Sequence, residues 1–205
     1  MEQMKTKRID EVKSNAIPSF AFVGKMASGK STYAEELKLQ MEREFSVNVY
    51  RVALSAKIIE IAIDLFAMEG KDRLLLEAIG AKMREIDYCV WAKYVVRDAL
   101  TNSKLPLIAD GIRSPQDAAL FREGLPTLVI VRIEVDERQR MEAYQKVYGR
   151  YPTQEELNMV TEKTAEDIPA DVILKNNYYQ AELEDQVRDL VNAIRIITVT
   201  DALRP

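Results

Sequence analysis

The chain has 205 residues, 47% of them apolar and 30% charged, and a formal net charge of −4. These proportions fit a single soluble globular domain and give no bulk attraction for nucleic acid or for an anionic membrane. A single cysteine, Cys89, excludes an intramolecular disulfide, and the absence of histidine excludes Ser–His and Cys–His nucleophile pairs and histidine-ligated metals.

Residues 1–16 are charged and lack an apolar core, so they read as a tail or a short outer helix rather than a secretory signal. Residues 17–205 read as one domain. Its first strand candidate is Phe20–Val23. The next eight residues, Gly24-Lys25-Met26-Ala27-Ser28-Gly29-Lys30-Ser31, have the form G-x-x-x-x-G-K-[ST]. From Thr32 onward a helical period follows, with Tyr33, Leu37 and Met41 four residues apart. Strand, glycine loop and helix is the context that a phosphate-binding loop requires. Glycines let the backbone turn so that its N–H groups face an anion, and the helix start adds its positive dipole end. In such a loop Lys30 would reach the β- and γ-phosphates of a nucleotide, and the Ser31 hydroxyl would ligate Mg²⁺.

Further strand candidates are Val47–Ala53, Pro106–Ala109, Thr127–Val135 and Asp171–Leu174, with Ile194–Val199 as an additional edge strand. Helical patterns lie between them: Ile58–Met68, Lys71–Leu100 interrupted at Gly80, and Gln116–Glu123 ended by Gly124. The alternation predicts an α/β fold of three layers, a five-stranded parallel sheet flanked by helices. Asp136–Pro169 is a polar insert too long for an ordinary crossover, and Thr153-Gln154-Glu155-Glu156 within it is a capping box. An insert of this kind on a phosphate-loop core suggests a lid.

A second constellation, Asp110-Gly111-Ile112-Arg113, closes the third strand candidate. A strand-end aspartate beside the loop suits Mg²⁺, so Ser31 and Asp110 are the expected metal ligands. Arg113 offers a bidentate fork to a second phosphate group. No run approaches the roughly 18 apolar residues of a membrane span, and lone Cys89 fits a reducing, cytoplasmic compartment.

The loop followed by Asp-Gly-x-Arg resembles the nucleoside monophosphate kinase group, and within it the phage-type deoxynucleoside monophosphate kinases. The resemblance rests also on Leu54–Lys57, Gly70–Arg73, Ile79–Gly80, Arg84–Asp87 with Trp91, Asp110–Asp117 and Ala170–Asn177, in that order. Gly111, and the lack of a phenylalanine after Arg113, depart from the phage pattern. The resemblance implies transfer of the ATP γ-phosphoryl group to a (deoxy)nucleoside monophosphate. It further implies an acceptor-binding helical segment over 57–104 and a lid over 136–169. A dephospho-CoA kinase-like enzyme and a non-kinase nucleotide-binding module are the alternatives. Gly24 to Thr32 would bind ATP, and Lys30, Asp110 and Arg113 would act in transfer. Lid arginines Arg138, Arg140 and Arg150 would join them, unless they only pair with neighbours such as Glu137 and Glu142 on a solvated helix. Lys57 and Arg84 would bind the acceptor phosphate with Arg113, or else form surface salt bridges. Trp91 would stack on a base or, more in keeping with its apolar helical face, pack in the core. Stable binding of nucleic acid or membrane is not expected, whereas a homodimer is compatible with the resemblance.

Overall fold

The structure is a computed structural model and describes residues 17–125 and 127–202; the expected tail over 1–16 lies outside them. Five strands, β1 (Ser19–Val23), β2 (Tyr50–Ala53), β3 (Leu107–Asp110), β4 (Leu128–Val135) and β5 (Val172–Asn176), form one sheet in the order β2-β3-β1-β4-β5. Every pairing is parallel. The order puts β1, and so the glycine loop that leaves it, at the centre. Phe22 is in register with Asp110 on one side and Val131 on the other.

Side chains of β1 alternate between two cores, as the pleat dictates. Phe20 and Phe22 pack with Tyr33, Leu37 and Met41 of α1 (Lys30–Phe45). The same core takes Leu183, Val187, Leu190, Val191 and Ile194 of the last helix, Gln180–Ala202. Ala21 and Val23 face the other core, with Val95 and Phe121. Those two come from α4 (Val90–Thr101) and α5 (Pro115–Gly124). Helices on both faces of a parallel sheet give the three layers expected.

Several boundaries differ from the sequence pattern. Ile194–Val199 is not an edge strand but the end of the last helix. The β-branched run favours a strand locally, but Leu183, Val187, Leu190, Val191 and Ile194 already form a helical stripe buried against the sheet. β2 starts at Tyr50 rather than Val47, because the Val49 N–H donates to Glu42 Oε1 at 3.1 Å instead of joining a ladder. Gly80 does not interrupt a helix. It is buried inside α3 (Arg73–Ile86), where a β-carbon would meet Ile58 Cδ1 of α2 (Ala56–Phe66) at 3.4 Å. Trp91 Nε1 donates to the Gly80 carbonyl at 3.3 Å and its ring is buried, so Trp91 is a core residue. The break falls after α3, where Asp87 Oδ1 accepts from Cys89 N at 3.1 Å.

The insert is largely helical. It holds α6 (Glu137–Tyr148), α7 (Gln154–Leu157), α8 (Val160–Lys163) and a 3₁₀ turn over Thr164–Glu166. The Thr153 capping box is present, with Glu156 N donating to Thr153 Oγ1 at 3.2 Å and Thr153 N to Glu156 Oε2 at 2.8 Å. Gln180–Ala202 is α9. Among the described residues no helix is long and apolar enough to cross a membrane.

Candidate active site

The glycine loop runs from the end of β1 to the start of α1 and has the form of a phosphate cradle. Gly24 has φ +145°, and a β-carbon there would lie 2.7 Å from the Ile133 carbonyl oxygen. Gly29 has φ +90°, and a β-carbon there would collide with Asn176 Nδ2. Both positions therefore require glycine for conformation and for space. Asn176 at the end of β5 supports the loop from below, donating to the Ser28 carbonyl at 2.9 Å. Tyr178 Oη donates to the Ala27 carbonyl at 2.6 Å. Thr32 and Tyr33 donate to the Gly29 carbonyl at 2.9 and 3.0 Å, which starts the helix.

Lys30 is the first residue of α1 and folds back over the loop, with Nζ 2.5 Å from the Lys25 carbonyl oxygen. Its side chain is buried. Burial pulls its pKa down to about 7, and the charge of Arg113 pushes the same way, while Asp110 and Glu162 oppose. An ammonium under that strain is a strong attractor for an anion. Asp110 ends β3 next to β1 and is also buried. Arg51 Nη2 stands 2.8 Å from Asp110 Oδ2.

Arg113 follows Asp110 through Gly111, whose φ of +87° turns the chain. The Arg113 guanidinium lies over that glycine, where a β-carbon would be 3.7 Å from Nη2. Burial lowers its pKa, against the pull of Glu162 and Glu77, and Arg73 adds to the lowering. Arg73, the first residue of α3, also acts on Lys30. It sits 5.9 Å over the Tyr148 ring, and its Nε is a buried donor with no hydrogen-bond partner, 3.6 Å from Glu156 Oε1. Lys30 and Arg113 thus repel one another beside the loop and Arg73 adds to the repulsion on both, while Asp110 and Glu162 offset part of it.

The other expected site residues divide. Arg84 makes a bidentate pair with fully buried Asp117, at 3.0 and 3.3 Å, and donates to the Tyr88 carbonyl at 2.7 Å. It ties α3 to α5. Lys57 pairs with Glu60 on the same helix at 2.7 Å. Arg138 is 85% exposed, with only a 3.9 Å approach to Glu142. Arg150 is held by Glu156 at 2.7 and 3.0 Å, inside the insert. Arg140 is the exception. It is buried, grips Glu137 at 2.7 and 3.0 Å, and donates to the Met26 carbonyl of the loop at 3.2 Å. Thr164 Oγ1 of the insert donates to the Arg113 carbonyl at 2.8 Å.

A cavity of about 410 Å³ opens on the β4 side of the loop, lined by Gly24, Lys25, Ser28, Ile133, Arg140 and Glu166 among others. Among the described residues no group of three or more His, Cys, Asp or Glu side chains could hold a metal alone. Ser31 at the start of α1 and Asp110 at the end of β3 are the hydroxyl and the carboxylate expected for a hard divalent ion carried on substrate phosphates, and the carboxylate is paired with Arg51. Sequence patterns alone did not single out Arg51, Arg73, Glu162, Asn176 or Tyr178 as site residues. Only Arg73 and Asn176 carried a signal, as members of the Gly70–Arg73 and Ala170–Asn177 stretches.

No family model matches the chain, and no curated protein sequence does either. Solved structures do match its fold. A gluconokinase from Sinorhizobium meliloti 1021 aligns at 14% identity over 90% of this chain and 95% of its own, with a TM-score of 0.58. A sugar kinase from Janibacter sp. HTCC2649 aligns at 15% identity over 88% and 97%, also with a TM-score of 0.58. The APS kinase of Mycobacterium tuberculosis, solved with AMPPNP and APS, aligns at 13% identity over 88% and 99%, with a TM-score of 0.50. The chain shares the α/β fold of these phosphate-loop kinases.

Proposed function

We propose that the chain is an ATP-dependent kinase that phosphorylates a nucleoside monophosphate, ribo or deoxy, with Mg²⁺ carried on the ATP. The single observation behind this reading is the glycine phosphate loop, with buried Lys30 folded over it and the Arg113 guanidinium over Gly111 at the end of neighbouring β3. Lys30 and Arg113 lose solvation and repel one another, Arg73 adds to that repulsion, and Asp110 and Glu162 offset only part of it, so the site favours added anions. The ATP phosphates meet Lys30 and the loop amides. The phosphate of the acceptor meets Arg113 and Arg73.

The chemistry suits these residues. An acceptor phosphate oxygen is already ionised near neutral pH, so no side-chain base is required. Transfer then depends on alignment and on neutralising charge. Lys30 stabilises charge between the β- and γ-phosphates. Mg²⁺, held through Ser31 and Asp110, would supply further charge neutralisation. Arg113 fixes the acceptor in line, and the insert keeps water out.

The test is ADP release in a coupled assay with ATP and a monophosphate acceptor. The reading expects turnover that needs both, and an Arg73→Ala variant with a raised acceptor KM. A second reading, a kinase of another small metabolite, draws on the gluconokinase and sugar kinase of like fold. Turnover with a sugar acid or sugar, and none with monophosphates, would favour it.

A further inference from the structure

The insert grips the phosphate loop through a carboxylate. Glu162 of α8 has a side chain only 4% exposed, and its two oxygens accept from the Met26 N–H at 2.9 and 3.0 Å. Arg140 Nη1 stands 3.5 Å from Glu162 Oε2 and donates to the Met26 carbonyl, so the peptide groups on both sides of Met26 are held from the insert. Lys25, one residue earlier, pairs with Glu166 at 2.6 Å. A buried anion thus rests on a backbone amide of a loop built to present amides to phosphate. The negative charge of Glu162 also reaches Lys30 and Arg113.

Two anions cannot share those cations cheaply. Like charges brought together in a desolvated site repel by several kcal/mol. We propose that Glu162 competes with the terminal phosphate of the donor nucleotide, so that ATP binding expels Glu162 from Met26 and releases residues 157–166 of the insert. This rests on the reading of the loop as a nucleoside triphosphate site. It makes Glu162 an internal brake: the protein must give up one charged contact to take up ATP, and the freed segment can then close over both substrates.

Arg140 keeps its pair with Glu137 when Glu162 is neutralised, so no buried charge is orphaned and the isosteric variant should fold. The experiment is calorimetric titration of the full chain with Mg-ATP and Mg-ADP, comparing wild type, Glu162→Gln and Glu166→Gln. Glu166 also borders the loop but is 69% exposed, and so controls for the general loss of one negative charge. If about a tenth of molecules have Glu162 disengaged, abolishing its negative charge tightens apparent ATP affinity by up to about tenfold. Mg-ADP, which lacks the terminal phosphate, should gain less. Glu166→Gln should shift ATP affinity by about twofold or less. Hydrogen exchange over 157–166 should speed up when ATP is added to wild type. Glu162→Gln that binds ATP no tighter than Glu166→Gln does, or exchange that slows on adding ATP, would overturn the proposal. Wild type that binds no nucleotide at all would instead overturn the functional reading on which it rests.

Discussion

Arg51 of β2 holds Asp110 of β3, with Nη2 2.8 Å from Oδ2, while its Nη1 reaches Glu35 of α1 at 3.2 Å. The expected metal ligand is therefore already neutralised by a guanidinium. A divalent ion at Asp110 has to share that carboxylate or take it over.

This gives a stability prediction. Arg51→Met leaves Asp110, only 7% exposed, without its charge partner. Breaking a buried pair from one side costs about 3–5 kcal/mol, and the partial exposure of Arg51 reduces that to about 1–3 kcal/mol. Mg-ATP should restore part of the loss, because the ion replaces the missing positive charge. Thermal denaturation with and without Mg-ATP measures both. An unchanged melting temperature would mean that the pair contributes nothing. Asp110→Asn, by contrast, should lower kcat and weaken the Mg²⁺ dependence of turnover more than it weakens ATP binding.

Lys30 supplies a pH test. Its folded pKa of about 7 lies below the usual lysine value of 10.5. Between those values the unfolded chain binds more protons than the folded one, so stability rises with pH across that window. Below about pH 7 the full cost of the buried ammonium applies. Lys30→Met removes it and should be more stable relative to wild type near neutral pH than at pH 10 in the absence of nucleotide, the gap closing as pH rises. The same variant should have no transfer activity. Denaturant titrations at several pH values, in parallel with the kinase assay, check both. A stability difference from wild type that stays the same at every pH would contradict the strain assigned to Lys30.

Arg84 separates a structural role from a binding one. Asp117 is fully buried and is paired with Arg84 at two points. Arg84→Ala should therefore destabilise the fold by about 3 kcal/mol or more. A destabilisation of less than ~0.5 kcal/mol with a raised acceptor KM would return Arg84 to the acceptor site.

Much of this was legible in the sequence because the signals were local. The glycine loop carries its own geometry, and the capping box at Thr153 specifies its own two hydrogen bonds. Five apolar stretches separated by helical patterns sufficed for the parallel sheet. What escaped was set by distance along the chain. Glu162 meets Met26 across 136 residues, and Arg51 meets Asp110 across 59. No spacing rule links such pairs, since their contact depends on strand order and on where the insert folds back. The arginines of the insert show the same limit. Arg138 and Arg140 are two residues apart on one helix, yet one faces solvent and the other lies buried against the loop. Ile194–Val199 failed for the opposite reason, because its local strand preference lost to a tertiary stripe that begins eleven residues earlier at Leu183.

Arg113 distinguishes a kinase from a hydrolase that uses the same loop. Arg113→Ala should raise the acceptor KM and lower kcat while ATP affinity hardly changes. A charged bidentate contact contributes about 1.5–3 kcal/mol per hydrogen bond, so acceptor kcat/KM should fall about tenfold or more. Arg113→Lys should recover only part, because an ammonium lacks the planar fork. Steady-state kinetics with each substrate varied in turn decides it, and equal losses for ATP and acceptor would place Arg113 on the donor.

The most direct measurement is an acceptor screen: the purified 205-residue chain, Mg-ATP, and in separate wells each ribo- and deoxynucleoside monophosphate, gluconate and simple sugars, with products resolved by ion-exchange chromatography. The account predicts ADP together with a nucleoside diphosphate in at least one monophosphate well, and no ADP where ATP is alone. ATP hydrolysis that proceeds at the same rate with and without every acceptor would contradict it.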